Sequence, residues 1–164
     1  GAEVNPAWTL ELAKLDRVSY VKESSRDLAR VARLIEEIQH GGHAQYFTTV
    51  QMLLGSIVLG GAGATMPPPV AYIANAVIKA FKAGDIAEAG RLQRQFGLFP
   101  ARWMGYGLAP ALKASMEIIG LSLGKPYPPF KAVEGADLEA MRTYLKTTYL
   151  FEETHQNVIR KRAA

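Results

Sequence analysis

Residues 18–28 read Val18-Ser19-Tyr20-Val21-Lys22-Glu23-Ser24-Ser25-Arg26-Asp27-Leu28. Val18 to Val21 is a short β-prone run that ends in Lys22. Ser24 followed three residues later by Asp27 has the form of a capping box, so the spacing predicts a helix capped by Ser24. Leu28, Val31, Leu34, Ile35 and Ile38 follow at helical spacing, and Gly41 and Gly42 end the run. One strand leading straight into one helix is the unit from which parallel sheets are built.

Two further units follow downstream. Ala44 to Phe47 reads as a strand. Thr48 and Thr49 read as caps for a helix over about 50–59, stopped by Gly60 and Gly61. Ala62 to Met66 reads as a small-residue strand. Pro67, Pro68 and Pro69 then start a helix, where a missing N–H costs nothing, and Gly84 stops it. Three strand-helix units with short loops predict an α/β fold with a parallel sheet or barrel. After Gly84 the pattern is all-helical. Asp85 and Glu88 form a second capping box. Ile86, Ala89, Leu92, Phe96 and Phe99 make an apolar face, and helices are predicted over about 109–119 and from about Ala136, where Leu138, Met141 and Leu145 line one side. The expected division is residues 1–84, carrying the strand-helix units, and residues 85–164, a helical C-terminal region. Residues 152–164 carry little apolar face and are expected to fray or extend into a subunit contact.

Composition narrows the function. The 164 residues are 49% apolar and 21% charged, which suits a packed core. The net charge of +4 is scattered apart from Arg160, Lys161 and Arg162, so neither nucleic acid nor a membrane surface is an expected partner. No charged residue occurs between His43 and Lys79, but the glycines and prolines of that stretch cut it into pieces too short to span a bilayer. Residues 1–8 do not read as a signal peptide. The absence of cysteine removes thiolate metal sites and cysteine nucleophiles and suits a cytoplasmic setting. Gly60-Gly61-Ala62-Gly63 precedes a strand instead of following one, which argues against a phosphate-cradling loop. His40 and His43 lie in a predicted loop with no nearby acidic or cysteine partner, so no metal site is expected. Ser24 and Ser25 have no histidine relay and read better as caps than as nucleophiles.

Lys22 is the candidate catalytic residue. It stands where a strand ends and a helix begins, the edge at which α/β folds bind ligands. Among apolar walls its amine would lose preference for the charged form and could attack a ketone to form an imine. A lysine that snorkels to solvent from a strand end fits the same pattern. Tyr20, two residues before, is expected on the same side and deeper in the core. Glu23 reads as a dipole partner of the following helix.

The segment Val18 to Leu28 resembles the Schiff-base strand of the dihydrodipicolinate synthase / N-acetylneuraminate lyase family, in which a lysine is followed by an acidic and two small residues. Leu59 to Thr65 resembles that family's eighth barrel strand. Ala83-Gly84-Asp85 with Ala89, Leu92 and Gln93 resembles the helical hairpin after it, and Ala109 to Lys113 and Leu121 to Pro129 resemble the C-terminal helices and their connector. The resemblance implies the C-terminal portion of a (β/α)8 TIM barrel, strands six to eight, followed by helices, with the first five strands elsewhere. It implies a class I aldolase or lyase in which Lys22 forms a Schiff base with pyruvate or a related 2-keto acid, followed by aldol addition to an aldehyde or the reverse cleavage. No metal or organic cofactor is required, because the imine is the electron sink. A keto-acid dehydratase and an inactive fragment or interaction module are the alternatives. Thr48 and Thr65 are the expected substrate-binding residues. Tyr46 to Thr49 stands where many members carry a glycine and acidic residues, and Thr65 where an aliphatic residue is usual, so another aldehyde or sugar acid stands beside the family's namesake substrate. An open half barrel would expose an unpaired strand, which implies a complementing front-half chain or a homo-oligomer.

Overall fold

The computed structural model describes residues 4–97, 99 and 101–151. Its chain divides into two compact units, Gly1–Met66 and Pro67–Ala164.

The first unit is built on a parallel sheet in the order β1-β2-β3: β1 (Tyr20–Lys22), β2 (Gln45–Thr49) and β3 (Gly63–Thr65). An α-helix, α1 (Pro6–Ala13), precedes the sheet. Its start is set by Asn5, whose Oδ1 accepts from the Ala7 N–H at 2.9 Å, and by Pro6 in the first turn. The Asn5-Pro6 pair is a start signal in its own right, and the sequence reading passed over it. The second helix, α2 (Leu28–Leu34), is capped by Asp27 and not by Ser24: the Asp27 carboxylate accepts from the N–H groups of Ala29 and Arg30 at 2.9 and 3.3 Å. Asp27 directly precedes the first helical residue and reaches the free N–H groups of the helix, so the cap lies three residues beyond the predicted one. From Ile35 to His40 the helix widens to a π-helical turn. The third helix, α3 (Leu53–Val58), follows a single 3₁₀ turn, and neither Thr48 nor Thr49 makes a side-chain cap.

Register decides which side chains share a face. Val21 pairs with Tyr46 and Lys22 with Phe47; Phe47 pairs with Gly63, Thr48 with Ala64 and Thr49 with Thr65. Successive residues point to opposite sides. Val21, Tyr46, Thr48 and Ala64 therefore face one way, and Tyr20, Lys22, Phe47, Thr49 and Thr65 the other. The helices cover the first face: Ala13, Val31, Leu34, Ile35, Ile38 and Tyr46 form one buried cluster, with Leu10, Val21 and Met52 packed against it. On the second face Tyr20, Lys22 and Thr65 are exposed. The amphipathic pattern of α2 is thus spent on one side of the sheet.

The second unit is helical: α4 (Ala71–Lys82), α5 (Ile86–Gln93), α6 (Leu108–Ile118) and α7 (Gly135–Lys146). Asp85 caps α5, accepting from the Glu88 N–H at 2.9 Å. The Glu88 side chain pairs with Arg91 instead of completing the box. Ala89, Leu92, Phe96 and Phe99 are buried as their spacing predicts, while Ile86 is exposed. Met141 and Leu145 are buried on α7. The two compact units meet after Met66, and α4 turns back at Gly84 to pack along α5. The predicted behaviour of residues 152–164 lies outside the described residues.

Candidate active site

Lys22 closes β1 at its C-terminal end, on the face away from the helices. Its Nζ donates to the Ser24 Oγ at 2.5 Å. The amine is not enclosed by apolar walls, contrary to the sequence reading: Lys22 is exposed, because the face that carries it has no helix layer in this unit. Tyr20 shares that face, as predicted, but is 67% exposed rather than deep in the core; its ring lies 6.1 Å from that of Phe47. Beside β1 opens a cleft of about 670 Å³, walled by Val4, Thr9 and Leu12 from the segment around α1, by Tyr20, Lys22 and Glu23 of the strand and its end, and by Arg30 of α2.

Glu23 points the opposite way. It is not a dipole partner of α2. Its carboxylate accepts from the Arg30 Nε and from the Tyr46 hydroxyl, the latter at 3.3 Å, and its own N–H donates to the Phe47 carbonyl at 3.0 Å. Both charged side chains are mostly shielded, at 12% exposure for Arg30 and 15% for Glu23. Arg30 also donates to the Val4 carbonyl at 2.5 Å, which ties the segment before α1 to the end of β1. Sequence reasoning missed this cluster. The only signal was the seven-residue spacing of Glu23 and Arg30, and the third member comes from another strand.

Burial lifts the Tyr46 phenol well above its ordinary value of 10.0, and the Glu23 charge and hydrogen bond lift it further. The unfolded chain gives up this proton near its ordinary value while the folded chain keeps it. Stability is therefore expected to be unaffected by Tyr46 below pH about 10 and to fall as pH rises above it. Urea unfolding through the alkaline range is the measurement, and Tyr46→Phe should flatten part of the slope.

The two threonines separate. Thr65 ends β3 on the Lys22 face and is exposed. Thr48 does not meet Lys22: it lies on the helix-covered face, fully buried. Its neighbour Thr49, paired with Thr65, takes the position expected of it. A strand alternates at every residue, so an error of one position reverses the side. The His40 Nε2 lies 3.1 Å from the Leu59 carbonyl, and among the described residues no group of three or more metal-capable side chains gathers. Among them, too, no helix is long and apolar enough to cross a membrane.

A model of the dihydrodipicolinate synthetase family matches residues 1–148. The chain belongs to that family. The family named from the sequence is therefore correct. Within the dihydrodipicolinate synthetase family, the 4-hydroxy-tetrahydrodipicolinate synthase of Methanoculleus marisnigri is 28% identical over 153 residues, which are 88% of this chain and 50% of the relative. Among solved structures, an E. coli K12 prophage protein of the dihydrodipicolinic acid synthase family, determined in complex with pyruvate, matches with a TM-score of 0.75 at 19% identity, over 86% of this chain and 50% of that one. The N-acetylneuraminate lyase of Mycoplasma synoviae matches with a TM-score of 0.73 at 22% identity, over 92% of this chain and 52% of that one. The chain spans about half the length of the curated relatives it matches.

Proposed function

We propose that this chain is the amine-bearing half of a class I aldolase or lyase, in which Lys22 forms a Schiff base with pyruvate or a related 2-keto acid. The observation that carries the reading is the place of Lys22: the C-terminal end of a parallel strand, on the helix-free face, beside an open cleft. Family membership and the pyruvate held by one solved relative support it.

The neutral Lys22 amine attacks the keto carbon, the carbinolamine hydroxyl takes up a proton from solvent and leaves as water, and a protonated imine results. The imine draws electrons from the adjacent carbon, which loses a proton to give an enamine. The enamine carbon bonds to the carbonyl carbon of an aldehyde, whose C=O π electrons pass to the oxygen as it takes up a proton, the nitrogen becomes an iminium again, and water then hydrolyses it to release product and free amine. Cleavage runs the same steps in reverse. Thr65 meets substrate from the end of β3. The lysine supplies the electron sink, so the reading calls on no metal or organic cofactor, and a chain without cysteine makes no demand for an oxidising compartment, in keeping with a cytoplasmic setting.

The three strands correspond, in this reading, to the sixth to eighth of a (β/α)8 barrel. The Ser19 carbonyl and the Glu23 N–H bond to β2, so the alternating backbone groups of Tyr20 and Lys22 point away from it, toward the open edge. The rest of the barrel, from a complementing chain or the remainder of a longer one, pairs there and encloses the amine, which then loses the solvent that stabilises its charge. The test is borohydride reduction of the complete enzyme in the presence of pyruvate, followed by peptide mass analysis. The expected product is a reduced pyruvate adduct on the Lys22 peptide. Adduct on a different lysine, or on none, rejects the proposal.

A further inference from the structure

Lys22 is held poorly by its own strand. β1 is three residues long and lies at the sheet edge, and the backbone groups of Lys22 face away from β2. Four methylenes then separate the backbone from the amine. Whatever places the amine must fix the chain immediately beside it, and the next residue is fixed from three directions. The Glu23 N–H donates to the Phe47 carbonyl, and its carboxylate accepts from Arg30 of α2 and from Tyr46 of β2. Tyr46 is itself immobilised: its ring is fully buried in the core cluster, and its N–H donates to the Gln39 Oε1 at 2.9 Å. After Glu23 the chain runs without regular structure until Asp27 caps α2.

Because neighbouring residues on a strand point to opposite sides, an anchor on Glu23 acts on Lys22 through the backbone they share. We infer that Glu23, Arg30 and Tyr46 are positioning residues for the Lys22 amine, pinning the end of β1 at the border of the cleft so that the amine keeps one place along its wall. The inference rests on the reading of Lys22 as the Schiff-base amine. A shielded ion pair is costly to break by removing one partner, which suits a fixed anchor better than a solvated surface contact does. Attack on a carbonyl is steep in distance, and a displacement of about 1 Å costs on the order of 100-fold in rate.

The experiment compares Glu23→Gln and Tyr46→Phe with the parent in the complete enzyme, measuring the single-turnover rate of borohydride-trapped imine against pyruvate concentration, per folded molecule and well below the unfolding temperature. The expected result is a trapping rate lowered by roughly 10- to 100-fold at an unchanged half-saturating pyruvate concentration. A purely structural role lowers the unfolding midpoint and leaves that rate alone. If Glu23→Gln does not fold, Tyr46→Phe, which keeps the ring in the core, decides. Parent and variants trapping equally fast overturns the inference and leaves Lys22 in place. A raised half-saturating concentration at unchanged rate also overturns it, since the residues would then act on keto-acid binding. A parent that traps no imine removes the reading of Lys22 and this inference together.

Discussion

Lys22→Ala is expected to abolish turnover in the complete enzyme, with a loss on the order of 10⁴-fold or more, the scale seen when a covalent nucleophile is removed. No other group beside the cleft replaces it. The Ser24 hydroxyl, its hydrogen-bond partner, forms no imine, and Glu23 is engaged on the far side of the strand. Lys22→Arg is the sharper variant. It keeps the positive charge and the stem, so a side chain that only attracts a carboxylate would survive the exchange. A guanidinium stays protonated and cannot become the amine of an imine, so the covalent role predicts a loss as deep as that of alanine. Lys22 is exposed and its side chain contributes nothing to the core, so both variants should unfold at the parent's urea midpoint. Steady-state turnover with pyruvate and the aldehyde, read alongside urea unfolding, separates lost chemistry from lost fold. An arginine variant with substantial activity would contradict the Schiff-base reading.

Gly60→Val is expected to destabilise the sheet unit by about 3 kcal/mol, with two causes. Gly60 has φ of +88°, a conformation that costs any L-residue and a β-branched one most. A Cβ there would also stand 2.5 Å from the His40 Nε2. His40 is exposed, so its ring can turn aside only by giving up the 3.1 Å contact of its Nε2 with the Leu59 carbonyl. Gly42→Val isolates the backbone cause. Its φ of +74° is similar, but nothing lies within 4 Å of an added Cβ, so a cost nearer 1 kcal/mol is expected. Urea unfolding of the two variants gives both numbers. Equal losses would mean that the close approach of Gly60 to His40 contributes nothing. The same loop leads into β3, so Gly60→Val should also disturb Thr65 at the strand end.

Much of the fold was legible because it rests on local patterns. Each strand ran into its helix over a few residues, and the glycines at 41–42, 60–61 and 84 marked the turns. Lys22 could be placed at a strand end from its immediate neighbours alone. Other features needed partners far along the chain. Thr48 and Thr49 look alike in the sequence, and only the pairing of Thr49 with Thr65 tells which one shares a face with Lys22. Ser24 and Asp27 are both acceptable caps, and the hydrogen bonds of the helix start choose Asp27. Glu23 looks like a residue before a helix, while its partners are Arg30 and the more distant Tyr46.

The order of strands and helices followed from residue type and spacing, since periodicity and turn chemistry act over a few neighbours, while the kinship with the dihydrodipicolinate synthetase family came from the resemblance of whole segments, which singled out Lys22 among strand-end lysines. Which side of the sheet each residue takes, where α4 belongs and how exposed Lys22 stands were settled by packing alone. A strand reverses its side chains at every step, and a helix joins whichever surface buries more of it, so both depend on contacts that no local window of sequence contains.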